Sequence, residues 1–218
     1  RMAAAPLAID PWVIRCAAAA AHHAARYDAP GEGVYAPALL KQLSEAAGDR
    51  FVAACDVGQH QMWAAQHCRF SKPEAHITSG GLGAMGFGLP AGLGAKLADP
   101  SATVVTIAGD GGFMMNSQEL ETAVRLGMHI TVVILRDDGY GMIRWKQANM
   151  GFTDFGLDYG NPDFVKYAEA YGTQGHRVES AEGFLPLLEK CLSTPGVHVI
   201  DCPVDYSEND RILNIELR

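Results

Sequence analysis

The stretch Val104 to Gln147, VVTIAGDGGFMMNSQELETAVRLGMHITVVILRDDGYGMIRWKQ, decides the fold. Val104 to Ala108 is a short apolar run suited to a buried parallel strand, and it stops at Gly109-Asp110-Gly111-Gly112. Ile130 to Leu135 is a second such run, stopping at Arg136-Asp137-Asp138-Gly139. The spacing between them predicts one helix, with Asn116 as N-cap, Glu119 as its capping-box partner and Gly127 at the stop. The unit is strand, helix, strand.

In a right-handed parallel crossover both strands end on one edge of the sheet, so Asp110 and Asp137 are expected to face one pocket. Two carboxylates there ask for a cation. Gly111 and Gly112 let the backbone approach a ligand closely, and the following helix start offers N–H groups to an anion. Hard oxygen ligands beside a phosphate-like group are the usual setting of Mg²⁺.

Working outward, apolar residues at helical spacing from Tyr35 to Ala47 predict a helix ending at Gly48, followed by a strand from Phe51 to Cys55. That strand runs into Asp56-Val57-Gly58-Gln59-His60, where Gly58 permits close approach and Gln59 and His60 supply neutral donors at a helix start. Thr78 to Pro90, TSGGLGAMGFGLP, contains Gly81-x-Gly83-x-x-Gly86, a dinucleotide fingerprint by letter. The residues before it, Glu74 to Ser79, read as too short and polar for the buried strand that fingerprint needs. Phe87 to Leu97 is expected to be helical, and residues 148 to 160 an exposed loop able to act as a lid. Asn161-Pro162 reads as the start of a helix running to Tyr171, and Gln174 to Glu179 as a strand. Ser180 caps a further helix to about Leu192, and Val197 to Cys202 is the last strand.

The 218 residues suit one large α/β domain, doubly wound and mostly parallel, with helices on both faces. Residues 1–34, rich in alanine and containing His22-His23, read as a linker from a preceding domain with a weak helix around 17–25; residues 35–206 form the domain and 207–218 a tail. Arg1-Met2 suggests a piece of something longer. A formal net charge of −8 argues against a nucleic-acid partner, and no apolar run reaches membrane-spanning length. The five scattered cysteines, with no C-x-x-C, are expected to be reduced core thiols of a cytoplasmic protein.

Gly109-Asp110-Gly111, then about 25 residues, then Asp137 at the next strand end resembles the diphosphate-binding motif of thiamine diphosphate (ThDP) enzymes, and DVGQHQMWAAQ (56–66) resembles a cofactor-site segment of the acetohydroxyacid and acetolactate synthases. The resemblance implies that Asp110, Asp137 and the Gly139 carbonyl hold Mg²⁺. It places Val57, Gly58, Gln59, His60, Gly109, Gly111 and Gly112 around the diphosphate, with Gly83 and Met85 beneath the cofactor. Tyr140, Gly141 and Met142 then line its thiazolium side, with Met142 and Lys146 as substrate-side candidates. Most members have Asn-Asn where Arg136-Asp137 stands; the Asp-x-Gly-Tyr form and the PVDYS stretch (203–207) resemble the catabolic branch. The biosynthetic enzymes place a 2-oxobutyrate-selecting Trp where Lys146 stands, and Trp145 is offset by one.

The implied reaction is decarboxylation of pyruvate and carboligation of the two-carbon unit onto a second 2-oxoacid, by an oligomeric enzyme whose pyrimidine-binding domain supplies a catalytic Glu. No segment here resembles that domain. Whether the parent enzyme binds FAD stays open, as does the acceptor. Three alternatives stand beside this reading, of which two are another ThDP carboligase or decarboxylase, and a nicotinamide-dinucleotide module built on the glycine-rich stretch. A non-catalytic cofactor-binding piece is a third.

Overall fold

The structure is a computed structural model that describes residues 9–22, 27, 34–206 and 208. Residues His23 to Ala25, the Pro30 to Gly33 stretch and most of the 207–218 tail lie outside the described residues. Helix α1 (Asp10–His22) starts earlier than the alanine run suggests, because Asp10 and Pro11 suit a first turn, and it buries no residue.

The domain proper alternates helix and strand: α2 (Ala36–Ala47), β1 (Phe51–Cys55), α3 (Gln59–His67), β2 (His76–Thr78), α4 (Gly88–Ala98) and β3 (Thr103–Gly109). There follow α5 (Asp110–Met115), α6 (Glu119–Arg125), β4 (Ile130–Arg136), α7 (Gly141–Asn149), α8 (Phe164–Ala170), β5 (Gln174–Arg177), α9 (Ala181–Ser193) and β6 (Val197–Pro203). The strands form one sheet in the order β2-β1-β3-β4-β6-β5, with every pairing parallel. Alternate residues of each central strand feed two cores. Val105, Ile107 and Val133 pack with Leu39, Leu43, Trp63 and Leu188 on one face. Val104, Ala108 and Val132 pack with Leu93, Leu120, Ala123 and Phe164 on the other. Burial on both faces is why the strands read as continuous apolar runs.

The chain goes out from β1 to β2 and returns past it to β3, so the order reverses between β1 and β3. At such a reversal the connections leave on opposite faces and open a crevice outside the carboxyl ends of the strands.

Five local expectations change. The single helix between β3 and β4 is two: α5 begins at Asp110 itself, and Asn116 ends it as C-cap, its side chain donating 2.8 Å to the Gly86 carbonyl instead of capping α6. Gly127 does form the stop, in the left-handed region. Helix α8 is capped by Asp163, whose carboxylate accepts from Val165 and Lys166 N–H, and not by Asn161, which turns inward. The short polar segment before the glycine-rich loop carries a three-residue edge strand, β2, which is only half-buried and so still not the buried strand the fingerprint needs. The 148–160 loop is shorter and anchored: residues 148–149 finish α7, Leu157 is buried, and Tyr140 N–H bonds the Leu157 carbonyl. Finally, Cys55, Cys68, Cys191 and Cys202 are buried thiols, whereas Cys16 is exposed on α1.

Candidate functional site

A cleft of about 180 Å³ opens at the carboxyl ends of β1, β3 and β4, lined from three successive strand ends. From β1 come Val57, Gly58, Gln59 and His60; from β3 come Gly109, Asp110, Gly111 and Gly112; from β4 come Asp137, Gly139, Tyr140 and Met142. Gly83 and Met85 close it from the glycine-rich loop, and Leu135, Ile143 and Tyr206 complete the wall. Of the residues singled out from sequence, Gly141 lies beside the cleft against Asp137, where a Cβ would strike the carboxylate. Lys146 stands apart: it is exposed on α7 with its ammonium 4.7 Å over the Trp145 ring.

Asp110 is buried and held on three sides. Its Oδ1 accepts from Gly111 N–H at 3.0 Å, and its Oδ2 accepts from Asp138 N–H at 2.9 Å and from Asn161 Nδ2 at 2.6 Å. Asp137 faces the same cleft with less help. Burial first, and the Asp110 carboxylate second, push its pKa up to about 7, while the Gly139 N–H and Arg144 pull the other way. Two facing carboxylates, one holding its proton up to about neutral pH, make a site that a divalent cation would stabilise.

On the opposite wall His60 is buried, and burial holds its pKa down at about 4 against the pull of Asp56, so it is a neutral donor or acceptor. Its Nε2 is buried without a hydrogen-bond partner among the described residues. A Cβ on Gly58 would sit 2.7 Å from the His60 ring, and one on Gly111 would meet the Tyr140 and Tyr159 rings. These glycines leave a cradle of backbone amides at the start of α3 and α5, where N–H groups point outward.

The loop carrying Met85 is fixed from below by Asp56, whose carboxylate accepts from Val57 N–H at 2.7 Å, Gly86 N–H at 3.0 Å and Gly88 N–H at 2.8 Å. Gly83 and Gly86 have φ of 62° and 83°, which the bend needs. The amides a dinucleotide fingerprint would offer to pyrophosphate are therefore taken within the protein, Gly86 by Asp56 and Gly83 and Ala84 by the Ser79 carbonyl and hydroxyl, and α4 starts only at Gly88, after the fingerprint has ended. The nicotinamide reading fails on that geometry.

The chain matches the model of the family described as thiamine pyrophosphate enzyme, C-terminal TPP binding domain, over residues 56–202. The chain belongs to the thiamine pyrophosphate enzymes. It is 43% identical over 212 residues to the acetolactate synthase isozyme 2 large subunit of Escherichia coli (strain K12), a match covering 94% of this chain and 38% of that protein. It is 37% identical to the acetolactate synthase of Bacillus subtilis (strain 168), over 82% of the chain and 31% of the relative. Against the mitochondrial acetolactate synthase catalytic subunit of Saccharomyces cerevisiae (strain ATCC 204508 / S288c) the identity is 39%, over 82% and 26%. The chain thus spans less than two fifths of the length of these relatives.

A thiamine pyrophosphate enzyme needs room for a diphosphate and its counter-charge, and the cleft fits both: amide donors and an unpartnered His60 nitrogen on one wall, two carboxylates on the other. Besides the apolar wall residues Leu135 and Ile143, four residues at or beneath the cleft were not singled out as site residues from sequence. Asn161 reaches Asp110 from 51 positions away, leaving its own Oδ1 buried and without a partner among the described residues. Tyr159 donates to the Gly139 carbonyl at 3.3 Å, and burial with the two carboxylates raises its pKa. Tyr206 lines the cleft and packs on Trp63 with centroids 4.7 Å apart and the rings tilted by 32°, and Asp56 sits beneath the loop. Asp56 alone carried a local signal, as the first residue after a strand.

Proposed function

We propose that this chain holds the diphosphate of thiamine diphosphate through Mg²⁺, as the cofactor-binding part of an acetolactate synthase. The observation that carries the metal is the pair Asp110 and Asp137 in one cleft, with Asp137 held up to about 7. Asp110, Asp137 and the Gly139 carbonyl would hold the ion, since all three offer hard oxygens. Gly58, Gln59, His60, Gly111 and Gly112 would meet the diphosphate with neutral donors.

When bound, the cofactor supplies the carbanion chemistry. The chain's own residues position and enclose it. Asp56 fixes the loop that brings Met85 under the cleft, while Met142, Ile143 and Tyr206 offer apolar surface that keeps water from the far wall. The reaction we propose for the whole protein is decarboxylation of pyruvate and joining of the two-carbon unit to a second 2-oxoacid, supported by the relatives' names. A pyrimidine-binding domain from elsewhere would complete the site in an oligomer, in the cytoplasm, where buried unpaired cysteines stay reduced.

Isothermal titration of the chain with ThDP tests this, in Mg²⁺, in EDTA, and against NADH. Mutually dependent binding of ThDP and Mg²⁺, with no NADH binding, is the expected result. Equal ThDP affinity in EDTA would overturn the metal assignment.

A further inference from the structure

Away from the cleft, where β5 pairs with the first half of β6, three side chains from three elements converge: His176 of β5, Cys191 of α9 and His198 of β6. One ligand atom from each lies within 4.8 Å of the other two. Nε2 of His176 is 3.2 Å from Nδ1 of His198, with the rings stacked at 5.5 Å and 20°. Cys191 and His198 are buried and His176 half-buried, so the group sits at the rim of the core with one side open to solvent.

The hydrogen bonds around the group settle which lone pairs point inward. His198 Nε2 lies 2.8 Å from the Thr194 carbonyl, which can only accept, so the ring N–H is on Nε2 and Nδ1 presents its lone pair to His176. A ring whose outer N–H is tied to a backbone carbonyl keeps its inner lone pair available; here it accepts from His176 Nε2–H, and an ion would take that lone pair once the His176 proton shifts to its own Nδ1, the arrangement metal-binding histidines use. His129 Nε2 likewise donates to the Cys191 carbonyl at 3.1 Å, fixing the turn of α9 that carries the thiol. Burial, with Lys190 and the neighbouring histidines adding positive charge, holds both imidazoles below their ordinary pKa and therefore neutral.

A tetrahedral ion with nitrogen bonds of about 2.0–2.1 Å and a sulfur bond of about 2.3 Å places its nitrogens about 3.4 Å apart and sulfur about 3.6 Å from each. The histidine pair is already at that separation, and the thiol needs to close by about 1 Å, within reach of a side-chain rotation. Two imidazoles and a thiol select borderline-soft ions over Mg²⁺.

We propose that His176, Cys191 and His198 bind a Zn²⁺-class divalent cation, with solvent as the fourth ligand, at a site separate from the diphosphate cleft. Its occupant would tie the edge strand β5 and α9 to β6. Three protein ligands and an open position fit a solvent-accessible ion of that class.

Co²⁺ titration tests it, in a Cys16→Ser, His22→Gln, His23→Gln background that removes competing thiol and imidazole ligands near the start of the sequence, and in excess Mg²⁺. One equivalent should bind with tetrahedral visible bands and a thiolate charge-transfer band, and one equivalent of Zn²⁺ should bleach both. His176→Ala, at a half-exposed position that leaves the core intact, should weaken binding at least about tenfold, and Cys191→Ser should lose the charge-transfer band. Absence of that band in the unsubstituted site, or unchanged Co²⁺ affinity in His176→Ala with an unaltered circular dichroism spectrum, overturns the proposal.

Discussion

Replacing Asp137 by Asn should stabilise the ligand-free chain at pH 8 and leave it unchanged near pH 4. The folded chain keeps the Asp137 proton up to about pH 7, while the unfolded chain releases it near 3.8. A raised carboxylate pKa contributes stability that is present below about pH 4 and is lost as the pH climbs to 7, because only the unfolded state gains by ionising in that window. A shift of about three units is a ceiling of about 4 kcal/mol. Asp137 is only partly buried, so solvent screening reduces that to about 2 kcal/mol. For a chain of this size that is a rise of about 4–8 °C in melting temperature. Urea and thermal unfolding of both proteins in EDTA at pH 4 and pH 8 measures it, and taking the difference between proteins cancels the other titrating groups. In Mg²⁺ and ThDP the order should reverse, since the ion favours the charged carboxylate. A stability difference independent of pH, or an Asn variant less stable at pH 8 in EDTA, would refute the reasoning.

Asp110→Ala should abolish Mg²⁺-dependent ThDP binding by calorimetry, since it removes a carboxylate ligand and unmakes the bonds to Asp138 and Asn161; unchanged affinity in a folded variant would count against the site. Gly112→Ala should cost about 1–3 kcal/mol in urea unfolding, because its Cβ would collide with the Asp56 carboxylate beneath the Met85 loop. Asn161→Asp should weaken Mg²⁺-dependent ThDP binding less than Asp110→Ala while lowering stability in EDTA, as it sets a third carboxylate beside Asp110 and Asp138; greater stability in EDTA would contradict the bonding described. The 218-residue chain with ThDP and Mg²⁺ should form no acetolactate from pyruvate unless a pyrimidine-binding domain is added in trans; robust turnover by the chain by itself would show that the catalytic acid lies within it.

The sequence by itself determined the strands and the strand-end motifs. Val104–Ala108 and Ile130–Leu135 are buried on both faces, so their apolar character is continuous and local, and the residues that leave each strand necessarily reach the same edge. That is why Asp110 and Asp137 could be placed at one pocket from the strand ends alone, whereas Gly58 and His60 joined them through the resemblance to a family. The tertiary structure decided what long-range partners ask of side chains that look like caps. Asn116 and Asn161 both read as helix starts, yet each is drawn elsewhere, to the Gly86 carbonyl and to Asp110 and Asp138. A buried carbonyl or carboxylate left unpaired costs more than a helix cap gains, and neither partner is within reach of a local pattern. The same holds for Tyr206 against Trp63 and for the meeting of His176, Cys191 and His198, which depends on β5 pairing in register with β6 beneath α9. Periodicity reports which face a residue takes, and only the packed sheet sets what stands opposite it.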